Sequence, residues 1–299
     1  MVSNVEPAQR PARLSVGAIG AGRVGAVLLA ALARAGHRAI AVTAVSRESR
    51  RRAEELVPQA EVWPVDEVAA AVDLLLLAVP DDELTGLVGG LASTGVVRTG
   101  SLVAHTSGAH GAQVLDPLLQ GGALPMALHP VMTFTGTEVD LQRLAGACFG
   151  VTAPEELRLA AEALVIEMGA EPVWIEESAR PLYHAALAVG ANHLVTLVAQ
   201  SGDMLAQAGV ENPSRMLGPL LGAALDNALR RGDGALTGPV ARGDAGTVRA
   251  HLATMTTPES VAAYVAMARL TAVRALAAGL LSPERAAALL DVLASDGPA

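Results

Sequence analysis

The 299 residues carry a formal charge of −9 and are 52% hydrophobic but only 2% aromatic, so the core must be built from Ala, Leu and Val, largely in helices. All 21 basic residues are arginine, which removes Schiff-base and lysine general-acid chemistry, and the single Cys148 excludes an internal disulfide and leaves no Cys-x-x-Cys pair for structural zinc. No metal is expected, the acidic balance argues against a nucleic-acid partner, and the length predicts two domains.

Residues 1–13 are polar, proline-containing and without an apolar run, so they read as a flexible tail of a cytoplasmic protein. Apolar stretches such as 72–80, interrupted by Asp73, fall short of the ~20 residues needed to cross a bilayer, so no membrane contact is expected. Residues 14–19 form an apolar strand ending in glycines, and 24–35 a helix before Gly36. A strand follows over 39–45, a charged helix over 48–56, a short strand over 61–63 and a continuously apolar, doubly buried strand over 73–79. Pro80, Asp81, Asp82 and Glu83 open a helix, the acids suiting its positive end. Further strands are predicted at 101–105, 124–128, 148–152 and 172–175, with a helix over 154–168.

Beyond residue 176 the strand patterns stop. Ala/Leu-rich helices are predicted over 181–208, 213–231, 245–255, 258–278 and 283–293, three of them opened by Asn212-Pro213, Thr257-Pro258 and Ser282-Pro283. The expected fold is therefore α/β, a mostly parallel Rossmann-type sheet over 14–176, followed by an all-helical domain over 177–299 for substrate binding and dimerisation.

Gly20, Gly22 and Gly25 form Gly-x-Gly-x-x-Gly between a strand and a helix, where glycines give a tight turn, a close approach to pyrophosphate and close helix packing. With Arg23 and Val24 at the helix start, and Val79 and Pro80 at a neighbouring strand end, they make a dinucleotide site. Ser46 and Arg47 stand where NAD-preferring sites place an acid, so they are expected to hold a 2′-phosphate, with Arg50 or Arg51 nearby. NADP is thus expected over NAD, although these arginines could simply solvate a helix and Glu48 could serve NAD.

Strand ends bring further candidates: His105, Ser107 and Gly108 for a small carboxylate, and His129 to polarise or protonate it, against the alternatives of a capping hydroxyl and a structural imidazole. His184, Ala188 and Asn192 are spaced by four along the long helix, so His184 and Asn192 could share a cleft, or His184 could serve helix packing. Within 236–244, Arg242 is a possible carboxylate clamp, or Asp244 a helix cap.

The glycine turn, Ala78-Val79-Pro80, the segment 105–111, Leu128-His129-Pro130-Val131-Met132, Tyr183-His184-Ala185-Ala186 and 236–244 together resemble a bacterial Rossmann-like family with a C-terminal domain of unknown function, in the 6-phosphogluconate dehydrogenase-like superfamily. The resemblance covers residues 14–294 and extends distantly to ketopantoate reductase, pyrroline-5-carboxylate reductase, prephenate dehydrogenase and hydroxyisobutyrate dehydrogenases. It implies a nicotinamide enzyme acting on a small carboxylate, usually a homodimer through its helical domains. Ketopantoate reductases and hydroxyisobutyrate dehydrogenases use a helix lysine four residues before an asparagine. Here Asn192 matches the asparagine but Ala188 replaces the lysine, which turns attention to His184 first and His129 second as proton donor. The leading expectation is an NADPH-dependent reductase of a 2-oxo or imino acid, ketopantoate-like; the alternative is a non-catalytic dinucleotide sensor or scaffold.

Overall fold

The computed structural model describes residues 13–295, so the predicted tail lies outside the described residues except for Arg13, which pairs with Glu167 at 2.9 Å. Contacts divide the chain into two compact units, one running through Gly190 and one from Ala191. The division falls inside a long helix, beyond residue 176 where the strand patterns stop.

The first unit contains, in order, β1 (Ser15–Ile19), α1 (Arg23–Arg34), β2 (Arg38–Val42), α2 (Arg47–Leu56), β3 (Glu61–Val62), α3 (Val65–Ala71), β4 (Leu74–Leu77), α4 (Asp81–Thr94), β5 (Leu102–His105), a 3-10 stretch (Ala112–Gly121), β6 (Leu124–Pro130), α5 (Glu138–Leu144), β7 (Cys148–Thr152), α6 (Arg158–Glu167) and β8 (Glu171–Trp174). The strands make one sheet in the order β3-β2-β1-β4-β5-β6-β7-β8, in which β7 runs antiparallel to β6 and β8 parallel to β7. The four leucines of β4 are buried on both faces, as their unbroken apolarity requires, each worth about 2 kcal/mol. Ile19, Leu77, His105 and Ala127 share one register line, so the chain leaves β1, β4, β5 and β6 along a single carboxyl edge. Three strand spacings separate β1 from β6, about 14 Å.

Some elements depart from the sequence reading. Strand β2 stops at Val42 and Val45 is 92% exposed, because Ser46 already serves as the cap of α2. The seven-residue helices α3 and α5 and the proline-containing 3-10 stretch escape a periodicity test because they are too short to hold without tertiary packing; each is anchored by a fully buried side chain of its own, Val68, Leu144 and Leu115 respectively. Residues 154–168 split into a 3-10 turn (Glu155–Leu157) and α6.

The helix α7 (Arg180–Gln207) begins in the first unit and ends in the second, which continues with α8 (Pro213–Arg231), α9 (Gly238–Arg242), α10 (Ala245–Thr254), α11 (Pro258–Ala277) and α12 (Pro283–Ser295). Its core joins Ala241, Val248, Leu252, Val265, Ala272, Ala275 and Leu289. Thr257 and Ser282 accept amide hydrogen bonds at their helix starts, whereas Asn212 makes no side-chain cap. Both α7, with its preceding turn, and α11 are long and apolar enough to cross a membrane, with window hydropathies of 1.4 and 1.3. The sequence reading overlooked this because polar but uncharged residues such as His184, Asn192 and His193 interrupt the apolar run of α7.

A Cβ on Gly25 would lie 2.0 Å from the Gly20 carbonyl oxygen, a backbone atom that cannot swing aside, whereas one on Gly86 in α4 would meet nothing within 4 Å. Gly25→Ala should therefore destabilise the protein by about 3 kcal/mol, and Gly86→Ala should stabilise it by about 0.5–1 kcal/mol, both read from urea unfolding.

Candidate active site

The glycine turn closes through backbone contacts that a side chain would block. Gly20 has φ +103 and a Cβ there would meet the Ala78 carbonyl at 2.4 Å, while its amide donates to Thr43 Oγ1 at 2.8 Å. Gly25 lies beneath it, bringing the start of α1 against the sheet edge. At Gly22, which caps α1 without a side-chain bond, the space is open. A free helix start facing an open position fits a diphosphate, so the residues present suit a dinucleotide. Arg23 is exposed and Val24 half-buried at this helix start, and Val79 and Pro80 follow β4 on the adjoining strand.

At the end of β2, Ser46 accepts the Ser49 amide at 3.0 Å, so its hydroxyl is committed to capping α2. Arg47 is exposed at the first position of that helix and forms no ion pair among the described residues. Of the arginines that follow, Arg51 pairs with Glu55 at 3.6 Å, and it is Arg52, not Arg50 or Arg51, that reaches the glycine turn, donating to the Ala21 carbonyl at 3.1 Å.

The histidines at the ends of β5 and β6 have different roles. His105 is fully buried; its Nδ1 accepts the Ser107 amide at 3.2 Å, which leaves the proton on Nε2 to donate to the Gly111 carbonyl at 2.8 Å. Both nitrogens serve the backbone, so His105 shapes the loop instead of offering itself to a carboxylate. Ser107 is 5% exposed and its oxygen accepts the His110 amide, which closes it into the same loop. Gly108 is the point of convergence: a Cβ there would lie 2.7 Å from His184 Cδ2 and 2.9 Å from His129 Nε2. The structure thus brings together Gly108, His129 and His184, the two rings 6.0 Å apart and edge-on.

Sequence reasoning missed what holds His129. Its Nδ1 is 2.8 Å from the Tyr183 hydroxyl, and that hydroxyl fits only because Gly150, opposite His129 on β7, has no side chain. In the tautomer where the Tyr183 hydroxyl donates to Nδ1, the imidazole proton sits on Nε2, the nitrogen that faces Gly108. Behind them Arg180, 1% exposed, donates to Thr152 Oγ1 at 2.8 Å and to the Gly150 carbonyl at 3.0 Å, with Nη1 buried and unpartnered. Burial, then the Arg180 charge, then His184, push His129 down to about 4, while Asp81 at the start of α4 opposes them. His129 is a neutral donor at pH 7.

The remaining candidates belong to the second unit. Asn192 is exposed, two turns beyond His184 on α7. The segment 236–244 is partly helical as α9; Arg242 ends it, exposed, with its carbonyl accepting from Arg285 at 3.3 Å, and Asp244 caps α10 through the Thr247 amide at 3.0 Å. This unit also holds a His251–Tyr264 hydrogen bond of 2.9 Å lining a cavity of about 420 Å³, which no sequence pattern marked.

Burial lowers His105, like His129, to about 4 from 6.5. Between these values the unfolded chain binds protons that the folded protein refuses, so stability should be constant above about pH 7 and fall as pH drops from 6.5 to 4, by at most about 3 kcal/mol per ring. A urea midpoint unchanged between pH 7 and 5 would contradict this.

Two family models match the chain, a Rossmann-like domain over residues 2–130 and a domain of unknown function, DUF2520, over 147–271. A sequence search among curated proteins finds no match. Among solved structures, a Bacteroides fragilis protein described as an NADP oxidoreductase is 22% identical with a TM-score of 0.73, over 87% of this chain and 98% of that one. An imine reductase from Pseudomonas sp. is 17% identical with a TM-score of 0.57, over 96% of each chain. Plasmodium falciparum pyrroline carboxylate reductase with NADP bound is 12% identical with a TM-score of 0.54, over 92% of this chain and 98% of that one. With its sheet, glycine turn and helical second unit, the chain carries a Rossmann-like domain followed by the domain of unknown function DUF2520, and it shares the fold of these solved structures.

Proposed function

We propose that the protein is a nicotinamide-dependent oxidoreductase that reduces the C=O or C=N bond of a small 2-oxo or imino carboxylic acid, ketopantoate-like compounds leading, with NADPH preferred to NADH. The observation that carries this reading is the sharing of one carboxyl edge by an open glycine turn on β1 and two imidazoles meeting at Gly108 beside β5 and β6. The neighbouring structures described as an NADP oxidoreductase, an imine reductase and an NADP-bound pyrroline carboxylate reductase lend support in fold.

The amides at Gly22, Arg23 and Val24 would hold the diphosphate and Arg47 the 2′-phosphate, its fork matching the anion in paired hydrogen bonds. A bound reduced nicotinamide supplies hydride. His129, kept neutral by burial and the Arg180 charge and oriented by Tyr183, polarises the substrate heteroatom through Nε2–H, and His184 delivers the proton that no lysine can provide. Exclusion of water from the Gly108 corner strengthens both contacts.

Purified protein should consume NADPH with one member of a panel of ketopantoate, pyrroline-5-carboxylate and simple 2-oxo acids, and His184→Ala should abolish turnover. Arg47→Ala should weaken NADPH binding about ten- to a hundredfold and leave NADH nearly unchanged. Equal losses for both would remove the phosphate assignment, and binding without turnover across the panel would turn the reading toward a dinucleotide sensor.

We also propose a cytoplasmic homodimer. Val195 on α7 (70% exposed), Leu220 and Leu229 on α8 (62% and 80%) and Leu270 and Val273 on α11 (58% and 59%) are suited to a second copy of the chain. Light scattering should give two chains per particle at micromolar concentration; one chain would contradict it.

A further inference from the structure

The loop after β6 lies between the two matched family segments, and nothing assigns it a role. It is nevertheless built tightly. Asp140 on α5, fully buried, accepts the Thr135 amide at 2.8 Å, the Gly136 amide at 2.7 Å and the Thr135 hydroxyl at 3.0 Å. The buried Gly136 that results has φ +79, and a Cβ there would lie 2.5 Å from Arg52 Nε and 2.9 Å from Arg23 Cγ. Arg52 is therefore confined between this loop and the glycine turn, where it donates to the Ala21 carbonyl at 3.1 Å. Among the described residues it forms no ion pair, not even with Glu48 one turn back on α2. A half-buried guanidinium spends one of its five donors on Ala21 and keeps its whole charge beside an uncapped helix start.

We propose that Arg52, held by the Asp140-braced Gly136 loop, binds the diphosphate of the dinucleotide, a group common to NADPH and NADH. This rests on the nicotinamide reading and extends it to a residue on α2 and a loop beyond β6. The contact differs from that of Arg47, which meets a phosphate found only in NADPH.

Calorimetry on the full chain with NADPH, NADH and inorganic pyrophosphate tests it, using Arg52→Met, Arg52→Lys and Arg47→Ala, each checked for folding by its thermal midpoint. Arg52→Met should weaken both nucleotides by the same factor, about ten- to a hundredfold, and should reduce pyrophosphate binding as well. Arg52→Lys, retaining the charge without the fork, should fall between wild type and Arg52→Met. A loss confined to NADPH, or a lowered thermal midpoint with both affinities intact, would overturn the proposal, the second leaving Arg52 only a staple between α2 and the turn. If the methionine variant does not fold, the lysine variant decides: a folded protein with wild-type affinity for both nucleotides overturns it, and an equal loss for both supports it. A wild-type chain that binds neither nucleotide would overturn the nicotinamide reading itself, a result distinct from any difference among the variants.

Discussion

The site depends on the approach of Gly25 to the Gly20 carbonyl, where helix α1 is pressed onto the end of β1 with no side chain between them. That contact puts the free amides of the helix start at the sheet edge. The same device recurs along this edge: the bare Cα of Gly108 admits two imidazoles, that of Gly150 admits the Tyr183 hydroxyl, and that of Gly136 admits Arg52. The functional groups meet because four backbone positions give up their side chains, and each costs some of the chain entropy that glycine loses on folding.

The sheet was legible because its signals are local. A glycine turn between an apolar strand and a helix, followed by the leucines of β4, can be read in one pass, and Gly20 and Gly25 make the tight turn and the close helix contact that their spacing implies. The histidine corner at Gly108 was legible only in part. His105 and His129 look alike in sequence, each closing a strand, and differ only in what their nitrogens meet: two backbone groups for the first, a tyrosine and an open corner for the second. Tyr183 and Arg180 become partners of β6 only through the antiparallel register of β7, which sets Gly150 opposite His129. No local pattern encodes that pairing, nor the reach of Arg52 to Ala21 from the next helix. Short α3 and α5 escaped for a related reason, since their stability comes from the surfaces they cover.

A chain without lysine places every fixed positive charge on a group that does not deprotonate. Arg180 uses this in the interior, where an ammonium could shed its proton and a guanidinium does not. Its buried charge discourages a second one on His129, which complements the desolvation of the ring and keeps it an uncharged hydrogen-bond donor. An imidazole backed by a carboxylate would be driven the opposite way. The electrostatic character of the corner thus follows from its arginine as much as from its histidines.

The bracing of residues 135 and 136 by Asp140 reaches beyond ligand contact. A segment without regular secondary structure ordinarily trades its amide protons with solvent freely, but here two of those amides point at a carboxylate shut away from water. Their exchange must wait for an opening that leaves the buried Asp140 side chain without its amide partners, so this stretch of apparent coil resists loosening in a way its lack of regular structure does not suggest.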